Sequence, residues 1–193
     1  MKIILASGSP RRKELMERAG FEFEIIPAGC EENAGPGPAR EVVESLGLQK
    51  AEWVADKEKG NFEGDTIVIG ADTVVSLDDV ILGKPKNEAD AFSMLKNLSG
   101  REHEVYTGVA IVSVNGQIKE SFVVCTKVMF RSLTDNEINE YIATGEPLDK
   151  AGAYGIQGKG GAFVEKISGD YDNVVGLPIT ELVNRLKIIK PSL

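Results

Sequence analysis

The spacing of apolar residues predicts short strands that alternate with helices in the first third of the chain. Residues 2–6 ("KIILA") form an apolar run and residues 21–26 ("FEFEII") alternate in polarity, so both predict strands. Apolar residues three and four apart predict helices over 10–20 and 39–56. The first helix has Ser9 as a plausible cap, Pro10 at its first position and Gly20 just past its end.

Further along, the pattern predicts both long strands and capped helices. Residues 65–77 ("DTIVIGADTVVSL") predict a buried strand interrupted at Gly70 and Asp72, with a turn and a short second strand after it. Asn115-Gly116 between two apolar stretches predicts a hairpin. Further predictions are a helix over 87–100, a helix from a Thr134-x-x-Glu137 capping box, a strand over 162–167 and a last helix over 179–186. This mixture predicts an α/β fold with a mixed sheet and flanking helices.

Composition narrows the class of protein. The 193 residues are 42% hydrophobic and 27% charged, which is typical of a folded domain, and no linker divides the chain, so we expect a single domain over 1–193. With 22 Lys and Arg against 30 Asp and Glu, the net charge is −8, which argues against binding to nucleic acid or to an anionic membrane.

Location is predicted from the cysteines and from the first residues. The two cysteines lie far apart, which favours neither a disulfide framework nor a thiolate metal site. The apolar run near the start is too short for a signal peptide, and no stretch approaches the ~20 apolar residues of a membrane span. A reducing, cytoplasmic location is therefore expected.

A basic motif stands near the start of this acidic chain. In "LASGSPRRKEL" a predicted strand, a Ser-Gly-Ser turn and a helix N-terminus follow one another, an arrangement that favours anions. Ser7 and Ser9 add hydroxyl donors, and Arg11 and Arg12 add guanidinium groups that match phosphate geometry. Arginines in the first turn of a helix are unfavourable, because the helix dipole is positive there, and a bound anion would compensate them. This favours a phosphate site over the alternative, a capped surface helix with solvated arginines.

Asp72, Lys50 and Lys84 are further candidates for chemistry. Asp72 lies in a strongly apolar run, where a carboxylate needs a metal, a cation or several donors unless a solvated turn exposes it. Lys50 falls on the apolar face of the second helix. Its ammonium group either serves a site there or reaches water while its aliphatic stem lies along that face. Lys84 stands between a glycine and a proline in a loop, and solvation is its simpler explanation.

Two loops complete the set of candidates. Glu31 and Glu32 lie in an irregular loop where they either serve a hard cation such as Mg²⁺ or are simply solvated. Residues 147–161 are rich in glycine and carry Gln157, whose amide could pair with a nucleobase edge. His103 is the only histidine, and no P-loop is present. The basic residues suit phosphate groups and the carboxylates suit a metal ion. Together they indicate metal-assisted hydrolysis or transfer at phosphorus.

These motifs resemble the Maf family of nucleoside triphosphate pyrophosphatases. The resemblance rests on "LASGSPRRKEL", "GADTVV", "GKP", "LSGREHEV", "EPLDKAGAYGIQGKGGAFV" and "GDYDNVVGLP", in that order. It implies a mixed α/β fold with two lobes around a deep cleft, similar to inosine triphosphate pyrophosphatases, and usually a homodimer. It also implies cleavage between the α and β phosphates with a divalent cation, Mg²⁺ or Mn²⁺.

The resemblance carries roles to individual residues. Asp72 matches the family's proton acceptor, and Glu32 matches the carboxylate of the acidic loop, although Glu31 could replace it. Lys50 matches the lysine of the second helix, Lys84 that of "GKP", and Arg11 and Arg12 the arginines of the first motif. Our mechanistic hypothesis is that Asp72 and Glu32 hold the divalent cation, and that these four cations neutralise the triphosphate and the leaving pyrophosphate.

Three positions, Arg11, Thr73 and Gln157, match those linked to base choice in the family. Gln157 resembles the branch that prefers dTTP and UTP over the branch that prefers 7-methyl-GTP. A nucleotide-binding regulator of cell division that lacks turnover is the alternative from another class, but it would need no pair of carboxylates.

Overall fold

The computed structural model describes residues 1–61 and 65–190, so the predicted 1–193 domain is described apart from 62–64 and 191–193. The strands of that part are β1 (Lys2–Leu5), β2 (Glu24–Ile25), β3 (Thr66–Leu77), β4 (Val80–Leu82), β5 (Glu102–Ser113), β6 (Lys119–Phe130) and β7 (Val164–Ser168). Its helices are α1 (Pro10–Arg18), α2 (Ala39–Lys57), α3 (Glu88–Leu98), α4 (Asp135–Ile142), α5 (Tyr171–Val175) and α6 (Ile179–Ile189). Three 3₁₀ turns cover Glu146–Asp149, Ala151–Ala153 and Lys159–Phe163.

The strands form one mixed sheet, which confirms the predicted fold class. The strand order is β2-β1-β3-β5-β6-β7, with β4 paired to the end of β3. β1 runs parallel to β2 and β3, whereas the pairs β3–β5, β5–β6, β6–β7 and β3–β4 are antiparallel. The parallel pairs need crossover connections, and α1 and α2 supply them.

A gap in one edge of β3 decides where a ligand can enter. β1 pairs with Thr66–Ile69, and β4 pairs with Val75–Leu77. Within the described residues, positions 70–74 therefore have no strand beside them on that edge, although β5 follows them on the other. The gap lies just past the carboxyl end of β1, which is where α/β sheets bind ligands.

Three apolar clusters surround the sheet. Residues from α1 and α6 pack with β1, β3 and β5 on one face, and α2 packs on the opposite face. The third cluster joins α3 and α4 to the far ends of β3, β5 and β6, around Phe130 and Leu95. The long strands β3, β5 and β6 thus connect two separately packed ends of the molecule.

The structure confirms the local signals that predicted element ends. Asn87 caps α3 by accepting from the Asp90 N–H at 2.9 Å, and the Thr134–Glu137 capping box starts α4. The hairpin between β5 and β6 turns at Gly116, whose φ is +77°. No helix in residues 1–61 or 65–190 is both long and apolar enough to cross a bilayer.

Two strand predictions were wrong. The alternating 21–26 segment forms only the two-residue β2, because β1 offers Ile4 and Leu5 alone as partners. β3 is continuous through Gly70 and Asp72 rather than interrupted there. Gly70 and Asp72 fit inside the strand because the backbone of α2 packs closely on Gly70 and Lys50 of α2 pairs with Asp72.

Smaller differences concern the helix ends and the C-terminal part. Ser9 precedes α1 as predicted, but its side chain makes no capping hydrogen bond. β7 starts two residues later than predicted because residues 159–163 form a 3₁₀ turn. α5 was not predicted, since five residues are too few to show a helical repeat.

Candidate active site

A cleft of about 840 Å³ opens beside the gap in β3. It lies between the end of β1, the N-terminus of α1, the loop before α2 and the glycine-rich segment 146–158. Nine of the ten residues predicted for the site line it: Ser9, Arg11, Arg12, Glu32, Lys50, Asp72, Thr73, Lys84 and Gln157. The topology therefore brings together side chains from six separate segments.

The lysine of α2 joins the two predicted carboxylates. Lys50 Nζ lies 2.7 Å from Asp72 Oδ1 and 3.1 Å from Glu32 Oε1. The side chains of Lys50 and Asp72 are 12% and 15% exposed, whereas that of Glu32 is 53% exposed. The cluster carries two negative charges and one positive charge, so a net negative charge faces the cleft.

This contact answers two questions that the sequence left open. Asp72 does not lie in a solvated turn, because the ammonium group of Lys50 compensates its charge within the strand. Of the neighbouring glutamates, Glu32 and not Glu31 lines the cleft and binds Lys50.

Glycines allow α2 to lie close enough for this contact. A methyl group on Gly70 would lie 2.6 Å from the backbone nitrogen of Ala51 and would overlap the carbonyl oxygen of Gly47. A methyl group on Gly47 would in turn lie 2.9 Å from the carbonyl oxygen of Gly108. The backbone of α2, rather than a ligand, therefore occupies the space beside Gly70.

Arg12 is the most firmly held cation of the site. Its Nε–H donates to the Gly176 carbonyl oxygen at 2.8 Å, Nη1 to Ser7 Oγ at 3.2 Å and Nη2 to Thr73 Oγ1 at 3.1 Å. Burial lowers the pKa of Arg12 from its ordinary value, and the charge of Asp72 opposes that shift. A guanidinium has five N–H bonds, so one remains on each terminal nitrogen for a ligand.

Ser7 has a different position from the one expected. It is 8% exposed and does not line the cleft. Its hydroxyl accepts from Arg12 and, at 3.3 Å, from the backbone N–H of Ser9. The structure thus places Ser7 behind Arg12, where it supports the guanidinium rather than facing a ligand.

Arg11 and Lys84 also line the cleft. Among the residues that the structure describes, neither Arg11 nor Lys84 forms a salt bridge. The Lys150 ammonium is the main cause of the lowered pKa of Asp149, and the charge of Arg11 contributes to it. Arg11 therefore lies near the segment that carries Asp149, and both residues line the cleft.

A carboxylate that sequence reasoning missed holds the glycine-rich segment. Glu146 accepts from Tyr141 Oη at 2.9 Å, from the Lys159 N–H at 3.1 Å and from the Gly160 N–H at 3.4 Å. Burial raises the pKa of Glu146, but these hydrogen bonds outweigh it and leave the pKa below its ordinary value. Glu146 thus fixes the turn that presents Gln157 to the cleft. Its only sequence signal was its place in the "EPLDKAG" motif.

Asp72 and Glu32 are also the residues that could hold a divalent cation. Both carboxylates contact the same ammonium group, so their oxygens converge on one point. Mg²⁺ is commonly bound through one or two carboxylates together with substrate phosphates. In the described part of the chain, no group of three or more His, Cys, Asp or Glu side chains is arranged so that it could hold a metal ion by itself. The donor set therefore fits a cation that shares its ligands with a substrate.

The fold and the cleft define an α/β protein with a cation-lined site at the edge of a mixed sheet. The family model described as Maf-like protein matches residues 2–189. The chain therefore belongs to the Maf-like protein family, which confirms the resemblance of the motifs.

Proteins similar to this chain were also found by comparison of sequences and of structures. A protein from Bacillus cereus called dTTP/UTP pyrophosphatase is 56% identical over 187 residues, covering 96% of this chain and 94% of that protein. A Bacillus anthracis protein of the same name is 55% identical with the same coverage. A crystal structure of a nucleoside-triphosphatase, dITP/XTP pyrophosphatase, from Mycobacterium abscessus covers 100% of this chain at 15% identity, with a TM-score of 0.46.

Proposed function

We propose that this protein hydrolyses dTTP and UTP to the nucleoside monophosphate and pyrophosphate. The observation that supports this best is the Asp72–Lys50–Glu32 cluster, which shares one cleft with Arg11, Arg12 and Lys84. A volume of about 840 Å³ lies in the range of small-molecule sites. The names of the relatives at 55–56% identity supply the substrates.

The cations of the cleft suit a triphosphate. Arg12 is held on three sides and offers one N–H from each terminal nitrogen, a geometry that matches two phosphate oxygens. Arg11 and Lys84 line the same cleft and add charge without giving up a salt bridge within the described residues. These groups would stabilise the negative charge that collects on the leaving pyrophosphate.

Asp72 is the best candidate for the general base. A water oxygen would attack the α-phosphorus, the bond from that phosphorus to the oxygen bridging the β-phosphorus would break, and pyrophosphate would leave. The proton of the water would pass to the Asp72 carboxylate, which Lys50 holds in place at 2.7 Å. Glu32 would complete the negative end of the site.

Mg²⁺ or Mn²⁺ is the proposed cofactor, held by Asp72 and Glu32 together with the substrate phosphates. When bound, the cation supplies positive charge that offsets the charge developing on the phosphates.

Gln157 is the proposed reader of the base. It is exposed in the cleft on the glycine-rich segment that Glu146 fixes. Its amide offers one donor and one acceptor, which match O4 and N3–H of uracil or thymine. Arg11 and Thr73 line the same cleft and are proposed to contribute to base choice, as in the family.

We further propose that the chain works as one Maf-like domain over 1–193, as a homodimer in the cytoplasm, with no role for nucleic acid. The net charge of −8 supports the last point, because it disfavours association with a polyanion. The match of the family model to residues 2–189 supports the first.

The experiment is hydrolysis of dTTP with Mg²⁺ in ¹⁸O-labelled water. We expect dTMP and pyrophosphate, with the label in dTMP, because water attacks at the α-phosphorus. Release of dTDP and phosphate, or label only in pyrophosphate, would contradict the proposed reaction. Binding of dTTP without turnover would favour a nucleotide sensor instead.

Base selection is tested with a panel of triphosphates. Wild-type protein should show the highest kcat/KM with dTTP and UTP, and Gln157→Leu should narrow the gap to GTP. Lys159→Leu is a matched control, since Lys159 lies on the same segment but outside the cleft lining. A preference of the wild type for 7-methyl-GTP would place the chain in the other branch.

A further inference from the structure

A row of three hydrogen bonds runs from Arg12 in the cleft through Thr73 and Thr107 to Asn173 of α5. Thr73 on β3 and Thr107 on β5 are directly paired in the sheet, and their hydroxyl oxygens lie 2.9 Å apart. Thr107 Oγ1 donates to the carbonyl oxygen of Asn173 at 3.0 Å. Thr107 is 0% exposed, so it cannot touch a ligand in the cleft.

The chemistry of the two ends sets the direction of every bond in this row. Arg12 has only donors, so Thr73 Oγ1 must accept from it. The Asn173 carbonyl has only acceptors, so Thr107 must give its single proton there. The proton of Thr73 is therefore the one between the two hydroxyls, and Thr107 accepts it. The Gly176 oxygen, 3.4 Å from Thr73 Oγ1, is a poorer alternative and already accepts from Arg12 at 2.8 Å.

The far end of the row is anchored. Asn173 is 0% exposed, and its side-chain amide donates to the Val105 carbonyl and to Thr126 Oγ1, both at 3.0 Å. Arg12 thus binds α5 twice, directly at Gly176 and through the two threonines at Asn173. Loss of the Thr107 hydroxyl would break the link to Asn173 and leave the Thr73 proton only the Gly176 oxygen, at 3.4 Å, so Thr73 would be held less firmly as an acceptor for Arg12.

We propose that Thr107 is a positioning residue for phosphate binding: it holds Thr73 as an acceptor and thereby orients the Arg12 guanidinium towards the triphosphate. This inference rests on the proposed function, since it assumes that Arg12 binds the substrate phosphates. Sequence reasoning missed Thr107 because a threonine in an apolar strand carries no local signal of its partners.

The test compares Thr107→Val with Thr107→Ser. Valine keeps the shape but removes the hydroxyl, and a hydrogen bond in a chain that ends on a charged group predicts a roughly five- to thirtyfold rise in the KM for dTTP. The value of kcat should stay within about threefold, because Asp72 is untouched. Serine should restore KM to near the wild-type value. Thr66→Val is the matched control, since Thr66 is a buried β3 threonine whose hydroxyl has no partner among the described residues.

A second measurement separates this proposal from the proposed function. In the free protein, exchange of the Arg12 Nε–H with water, followed by NMR, should become several-fold faster in Thr107→Val but not in Thr107→Ser or Thr66→Val. Thr107→Ala replaces Thr107→Val if the latter does not fold. Unchanged exchange and KM in the hydroxyl-free variant would overturn the positioning role. A wild type that leaves dTTP intact would instead overturn the function, while the NMR result would still stand.

Discussion

Replacement of Gly70 by alanine should impair the site without changing any residue in it. The added methyl carbon would lie 2.6 Å from the backbone nitrogen of Ala51, whereas ordinary contacts begin at 3.4 Å. The helix α2 would have to retreat by at least about 0.8 Å, the difference between those distances, because the carbonyl oxygen of Gly47 lies closer still. If Lys50 moves with it, the 2.7 Å contact to Asp72 lengthens to roughly 3.5 Å, beyond hydrogen-bonding range.

Gly70→Ala should lower stability, because the methyl group overpacks the core, and activity, because Lys50 is displaced. A methyl group forced into a packed core destabilises by about 1–3 kcal/mol, which urea unfolding measures. A displacement near 1 Å at a catalytic group costs on the order of 10²-fold in activity, which appears in kcat/KM for dTTP. Gly37→Ala is the control, because its methyl would lie 3.6 Å from Glu41 Oε2, an ordinary distance. Wild-type stability and turnover in Gly70→Ala would refute the reasoning.

Three further predictions concern individual side chains. Glu32→Gln should lower kcat/KM for dTTP at least tenfold, and Glu31→Gln should leave it within twofold, because only Glu32 contacts Lys50; equal effects in a Mg²⁺ assay would contradict this. Glu146→Gln should destabilise the protein by about 1 kcal/mol and reduce the preference for dTTP over GTP, since one of its backbone hydrogen bonds is lost; an unchanged ratio of kcat/KM would argue against it. Burial lowers the pKa of His103 to about 4. The unfolded chain takes up this proton near pH 6.5, so stability is full above that pH and falls by roughly 2 kcal/mol towards pH 5. Urea titrations should find this loss reduced in His103→Gln, and an equal loss in both proteins would count against it.

Local signals were sufficient for much of the fold. Asn87, the Thr134–Glu137 box and Asn115-Gly116 each act over a few residues, so their effects could be predicted without knowing the tertiary structure. The short β2 could not, because its length depends on how much of β1 is available as a partner.

The residues of the site likewise divide into those with a local sequence signal and those whose role depends on distant parts of the chain. The charged residues were predictable because a carboxylate or a pair of arginines in an unfavourable local setting needs a partner. The roles of Gly70 and Thr107 depend on groups that lie far away in the sequence, on α2 and α5. Ser7 was predicted to face the ligand. The turn between β1 and α1 instead brings its hydroxyl to Arg12, and composition does not reveal the geometry of that turn.

The most direct test of the central claim is the turnover of dTTP by Asp72→Asn. The amide cannot accept the proton of the attacking water and carries no charge for a divalent cation, so kcat should fall by at least roughly 10²-fold. Folding is monitored by thermal unfolding, and a matched KM would show that Arg11, Arg12 and Lys84 still bind the triphosphate. A folded Asp72→Asn protein that releases dTMP and pyrophosphate at the wild-type rate would contradict the account.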